Sequence, residues 1–192
     1  MNTGMEAVRK LIHISGVLTI VLAELLGRTF LSSVVLVITA VFMISEYLRL
    51  QGKALPVVTE ITRMAAREDE AADWVLRPVF YAVGIIIAMN LFPRPVNYAA
   101  IAILTVGDGF ASFVGTRFGR HRFPYNHDKT LEGSISFFLA SFFSTLIFVS
   151  PPAALLGSMV GAFTESLPTG SSENVVVPAA AGLCMSILPL FM

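Results

Sequence analysis

An all-α bundle of about seven membrane-spanning helices is the fold class that this 192-residue sequence predicts. Three observations predict it. The first is composition: 55% of the residues are hydrophobic and 14% charged, with a mean hydropathy of +0.77, whereas about a quarter of a water-soluble domain is charged. The second is a series of apolar runs at 11–27, 29–48, 76–92, 96–116, 134–150, 152–167 and 175–192. Most of them approach the roughly 20 residues that cross the hydrocarbon of a bilayer. The third is the placing of basic residues between them. With the N-terminus in the cytoplasm, Arg9, Lys10, Arg49, Lys53, Arg63, Arg67, Arg77, Arg117, Arg120, Arg122 and Lys129 fall on the cytoplasmic side, and only Arg28 and Arg94 on the other. That asymmetry obeys the positive-inside rule. A spanning segment must close its own backbone hydrogen bonds, which selects helices. The length and the lack of a convincing internal repeat predict one integral membrane domain over 1–192.

Each element follows in order. The first run, after Arg9-Lys10, has the outline of a signal peptide. No small-residue cleavage site follows it and six further spans do, so it is expected to persist as a helix. The second closes on Glu46 and Arg49. Residues 54–74, "ALPVVTEITRMAAREDEAADW", place Leu55, Val58, Ile61 and Met64 at helical spacing, with charges on other faces. They predict an interfacial amphipathic helix with Pro56 near its start, a solvated connector being the plainer alternative. The fourth run carries Asp108, and a basic loop leads to the fifth, whose Phe137, Phe138, Phe142 and Phe143 predict a lipid-facing band. The sixth, at 152–167, is short and is expected to be tilted, broken or partly buried. The seventh holds Cys184, which stands alone in the sequence, so no internal disulfide forms and a buried thiol is expected. A net charge of zero gives no field to attract nucleic acid, and no such partner is expected.

The chemistry concentrates in "VGDGFASFVGTRFGRHRFPYNHDKTLEGS", Val106 to Ser134. A carboxylate two turns inside a span costs about 2.5–3.5 kcal/mol and calls for a partner, whether metal, basic group or proton. Gly107, Ala111, Gly115 and Gly119 recur every four residues, a small-residue stripe that lets another backbone approach. Asp108 and Ser112 lie beside the stripe, one turn apart. The following loop gathers Arg117, Arg120, His121, Arg122, His127 and Lys129. Asp128 or Thr130 can cap the next helix, whose N-terminus then forms an anion site beside Lys129. Carboxylate, cations and helix N-terminus are the parts of a metal–nucleotide site, and phosphoryl transfer requires little beyond positioning and charge stabilisation. Glu165, at the end of the short sixth run, is placed to turn toward the same cleft, whereas Glu24 lies near the opposite face.

The same stretch resembles the CTP-using motif of the integral membrane kinases that phosphorylate dolichol, phytol and other polyprenols. "RKLIHISG", Arg9 to Gly16, is similar to that family's R-K-x-x-H opening, and Glu46 with Arg49 resembles its acidic–basic pair. "TESLPTGSSENVVVP", Thr164 to Pro178, looks like its ending, with Glu173-Asn174 where the family often shows Asp-Asn. The likeness covers nearly the whole chain. It implies a multi-pass kinase with its active-site loops facing the cytoplasm. CTP would be the phosphate donor, Mg²⁺ or another divalent cation the cofactor, and a membrane isoprenoid alcohol the acceptor.

Carried over residue by residue, the resemblance implies catalytic roles for Asp108, Lys129, Glu132 and His13, with metal at Asp108 and Glu165 or Glu132. It implies nucleotide contacts from Gly107, Ser112, Gly115, Arg117, Gly119, Arg120, Lys129, Thr130, Gly133 and Asn174, and further contributions from Arg9, Lys10, Glu46, Arg49 and Ser166. The proton acceptor stays open among Asp108, Glu132 and His13, and the alcohol and the oligomeric state stay open too. Phosphatidate cytidylyltransferases share the central block but end in a signature with paired basic residues. Nothing after Lys129 here is basic, which favours the kinase. A small transporter is the remaining reading; the polar residues crowd one end of the spans and mark no through-path.

Overall fold

The computed structural model describes residues 16–53 and 74–187. Arg9, Lys10 and His13, and all of the 54–74 segment except Trp74, lie outside the described residues. The architecture is helical. α1 (Leu18–Leu26) and α2 (Arg28–Leu50) are separated by Gly27 alone, whose φ of +87° ends one helix and starts the next. α3 (Arg77–Leu91) begins with Pro78 in its first turn, where a missing N–H costs nothing. α4 (Val96–Ala102) runs through a π-helical turn, Ile103–Gly107, into α5 (Asp108–Phe118). α6 (Leu131–Thr145), α7 (Pro151–Ser166) and α8 (Glu173–Ile187) complete the bundle.

Among the described residues each expected apolar run thus contains a helix. Two helical stretches, Arg28–Leu50 and Val96–Phe118, are long and apolar enough to cross a membrane. α7 is short and continuous, and its inner face is buried through Ala154, Gly157, Ser158 and Gly161.

α4 is the axis. Asn97 through Thr105 are almost wholly buried, and α3, α6, α7 and α8 pack around this helix and its π-helical continuation. Ala99, Ala100 and Ala102 keep its girth small enough for so many neighbours. Outward faces are apolar instead: Leu36, Val37 and Ile38 on α2, Phe143 on α6 and Phe163 on α7 are all exposed. An apolar surface of this extent marks contact with lipid or another protein.

Three local expectations are corrected. The basic loop is not all loop: Arg122–Phe123 and Asn126–Thr130 pair as a short antiparallel hairpin, β1 and β2. Phe137 does not join a lipid-facing band, because it is fully buried against Gly107 and Gly161, while Phe143 faces outward. Cys184 is half-exposed rather than buried.

Candidate active site

The small-residue stripe of α4–α5 packs on α6. A side chain at Gly133 would stand 3.2 Å from the Ala111 carbonyl and 3.3 Å from Gly115 Cα, so the two backbones meet there directly. Gly107 belongs to the same seam, against Ser141 and Phe137; its place is in packing, away from any ligand. Gly119 lies against Thr130. Thr130, not Asp128, caps α6: its Oγ1 accepts the Gly133 N–H at 3.2 Å.

On the other side of this seam opens a cavity of about 720 Å³. Asp108, the first residue of α5, lines it directly after the π-helical turn. Such turns recur at functional sites because they re-aim the side chains that follow. Ser112 shares the wall, as the one-turn spacing requires. The cavity also receives the first residues of three helices, Arg77 and Pro78 of α3, Thr130 and Gly133 of α6, and Glu173 and Asn174 of α8. Three helix N-termini thus border one space and bring positive dipole ends to it, although in α6 the Leu131 and Gly133 N–H groups are already taken by the His121 carbonyl and Thr130 Oγ1.

Lys129 stands at the centre of the charge arrangement. Its Nζ lies 2.6 Å from Glu165 Oε1 and 2.8 Å from Glu173 Oε2. Ser134 Oγ donates to the other oxygen of Glu165 at 3.1 Å. Burial alone would lower the lysine's pKa, but the charges of Glu165, Glu173 and Asp108 outweigh it and hold the ammonium above the ordinary lysine value. Lys129 is therefore a fixed cation. Across the whole lining, Arg77, Arg122 and Lys129 face Asp108, Asp128, Glu165 and Glu173, so side-chain charge alone is not positive. Among the described residues no three His, Cys, Asp or Glu side chains are grouped to hold a metal ion by themselves.

The remaining residues singled out in the sequence divide clearly. Ser112, Gly115, Gly119, Thr130, Gly133, Glu165 and Asn174 line the cavity with Asp108 and Lys129. Glu132 does not. Its carboxylate turns to the start of the hairpin, 2.6 Å from His121 Nδ1, and accepts the backbone N–H groups of Arg120 and His121 at 3.1 and 3.2 Å. The His121 hydrogen bond, helped by these N–H groups, lowers its pKa to about 2. Arg117 lies over the Phe118 ring and Arg120 is exposed; neither reaches the cavity wall. Ser166 sits just outside, donating to the Phe163 carbonyl and meeting the Tyr125 hydroxyl at 3.1 Å. Glu46 and Arg49 bond each other at 2.6 and 2.9 Å, and Glu46 accepts the Val75 N–H, remote from the cavity lining. Glu24 pairs with Arg94 at 3.2 Å.

Sequence reasoning missed Arg77, Tyr81, Arg122 and Asn126 as cavity residues. Asn126 Nδ2 donates to the carbonyls of Ser166 and Leu167 at 3.0 and 3.1 Å, which straps the hairpin over the end of α7. Arg122 is held by donation to the His127 carbonyl at 2.6 Å.

The comparisons with known proteins agree on one kind of relative. The chain is similar to a probable phytol kinase 3, chloroplastic, of Glycine max, 37% identical over 129 residues, covering 58% of this chain and 40% of the relative. It is similar to phytol kinase 1, chloroplastic, of Arabidopsis thaliana, 29% identical over 197 residues, covering 90% and 63%. A probable phytol kinase 1, chloroplastic, of Glycine max is 30% identical over 199 residues, again covering 90% and 63%. The chain thus spans less than two thirds of the length of these relatives. No family model and no solved structure matches it.

Proposed function

We propose that this chain, which resembles the phytol kinases over most of its length, is a multi-pass membrane kinase. It transfers the γ-phosphate of CTP to the hydroxyl of a long-chain isoprenoid alcohol such as phytol, and its cavity faces the cytoplasm. The observation that carries the reading is the convergence of three helix N-termini and Lys129 on one cavity with Asp108. Outward-facing leucine, isoleucine and phenylalanine around the bundle support a bilayer setting.

The residues divide the work by chemistry. The Lys129 ammonium binds phosphate oxygens beside the positive dipole end of α6, and Arg122 adds a planar donor at the aqueous rim. A lining that is not net positive cannot by itself neutralise a triphosphate, so the donor set fits a divalent cation arriving with the nucleotide. Mg²⁺ commonly binds through one or two carboxylates plus substrate phosphates; Asp108, with Glu165, would hold it, and it would offset charge on the β- and γ-phosphates. Gly115, Gly119 and Gly133 let α5, α6 and Thr130 pack closely enough to form one wall of the nucleotide's cavity. Glu132 positions the hairpin that carries Lys129. The loose transition state of phosphoryl transfer demands little of a base, so the alcohol proton can leave to solvent.

The test uses purified protein with CTP labelled at the γ- or the α-phosphate and with phytol or phosphatidate as acceptor. γ-Label on phytol with release of CDP supports the kinase. α-Label on lipid with release of pyrophosphate would replace it with a cytidylyltransferase. Orientation is tested by single cysteines in a Cys184→Ala background. Asn126 and Ser172 positions label from the cytoplasmic side and Arg94 and Pro152 positions from the other; opposite labelling of Asn126 and Ser172 would break the shared face.

A further inference from the structure

Phosphoryl transfer brings two molecules into line, and here one is water-soluble and the other dissolved in lipid. A single cavity must admit them by different routes. The aqueous route is the rim between the hairpin and the start of α8. Below that rim the walls differ. α5 is sealed to α6 along the glycine seam, and α3 is sealed to α8 where Gly84 lies against the Asn174 carbonyl. Between α3 and α5 no comparable seam exists among the described residues: α3 packs on α2, α4 and α8, whereas α5 packs on α6. They face each other across the cavity, Arg77, Pro78 and Tyr81 on one side and Ser112 and Thr116 on the other.

Tyr81 lies one helical turn along α3 from Arg77 and lines the same cavity as Asp108. A phenol beside a carboxylate offers a hydroxyl both a donor and an acceptor at the foot of this opening. Arg77, in the first turn of α3, presents a guanidinium on the wall opposite Lys129, where a transferred phosphate needs a new partner.

We propose that the lipid alcohol enters between α3 and α5, that Tyr81 hydrogen-bonds its hydroxyl beside Asp108, and that Arg77 binds the phosphate on the acceptor. This rests on the kinase reading above. In the step, the alcohol oxygen bonds to the γ-phosphorus while the bond from that phosphorus to the β–γ bridging oxygen breaks. The hydroxyl proton leaves to water, and the nucleoside diphosphate departs by the aqueous rim. A second lipid-sized groove, about 810 Å³ and lined by Val106, Phe110, Val114, Ile135, Leu139 and Phe143, lies on the far side of the α5–α6 seam. A chain lying there would not bring its hydroxyl to Asp108.

The experiment uses the full chain in lipid nanodiscs with CTP, phytol and a diazirine-bearing phytol analogue. Photolabel is expected on the peptides that carry Tyr81 and Ser112. Tyr81→Phe is expected to raise the KM for phytol about three- to tenfold, and Arg77→Lys to lower kcat by a similar factor at unchanged phytol KM, the size of one lost or weakened hydrogen bond. Affinity for CTP, measured by titration calorimetry, should stay within about twofold, which a merely structural defect would not spare. Phe143→Ala in the second groove should change neither KM nor labelling. Label on 135–143, an unchanged phytol KM in Tyr81→Phe, or an unchanged kcat in Arg77→Lys overturns the proposal. The wild-type labelling stands even where a variant fails to fold. A wild type that phosphorylates no isoprenoid alcohol removes the kinase reading itself, whereas normal turnover with label in the second groove removes this inference alone.

Discussion

Two buried acid–base clusters occupy the same end of the bundle and are built to opposite plans. Glu46 and Arg49 form a matched pair one turn apart on α2, and the Val75 N–H takes part of the acid's remaining hydrogen-bonding capacity. Among the described residues one carboxylate meets one guanidinium, and the carboxylate is 1% exposed. Lys129 meets two carboxylates, Glu165 and Glu173, with the charge of Asp108 acting on Lys129 as well, and it borders an open cavity. The first arrangement is complete and holds the entry to α3 against α2. The second opens onto a cavity whose described lining carries more acids than bases. Sealing and balance separate a structural ion pair from a site more clearly than burial does.

Substitutions can break that contrast. The largest expected effect is at Asp108. Asp108→Asn keeps size and fold but removes a preorganised charge from a water-poor cavity, and turnover at saturating CTP and Mg²⁺ should fall about 10²–10³-fold. Turnover near that of the wild type, with unchanged thermal stability, would take Asp108 out of the site. Lys129→Met should weaken CTP binding by about 10- to 100-fold, the value of a hydrogen bond to a charged group, and also destabilise the fold by stranding two carboxylates. Adding Glu165→Gln should restore the melting temperature without restoring affinity; recovery of both would make Lys129 purely structural.

Glu46→Gln tests the balanced pair. Breaking a buried pair from one side costs about 3 kcal/mol, so thermal denaturation should move clearly downward while turnover per folded molecule holds. A selective loss of turnover at unchanged stability would instead place Glu46 in the chemistry.

The smallest effect is expected at Glu132. Its pKa, held near 2 against an ordinary 4.5, makes its contribution present above about 4.5 and lost as pH falls through about 2. Glu132→Gln should therefore be slightly less stable than the parent at pH 6, and the two should converge in strong acid. A difference that persists at the acid end would deny the carboxylate its part in holding the hairpin.

Much of the site was legible because its signals are local. The apolar runs, the i, i+4 spacing of Asp108 and Ser112 and the small-residue stripe each depend on near neighbours in sequence. Among the described residues the runs appear as helices, with two helical stretches long and apolar enough to cross a membrane, and the other two signals appear where the periodicity places them. The Thr130 cap follows from hydroxyl reach to a backbone N–H three residues on. What a helix leaves undetermined is which helices stand beside it and which way a loop side chain turns. Lys129 finds Glu165 36 residues away only because α6 and α7 adjoin around α4. Glu132 reads as a site acid by its motif, yet the hairpin folds back and offers it two N–H groups and an imidazole first. Arg122 reaches the cavity and Arg120 does not, a choice made by strand pairing that no composition records. Arg77 and Tyr81 carry no motif at all; the order of packing around the axial helix alone sets them opposite Asp108, because that order comes from shape complementarity among faces distant in the chain.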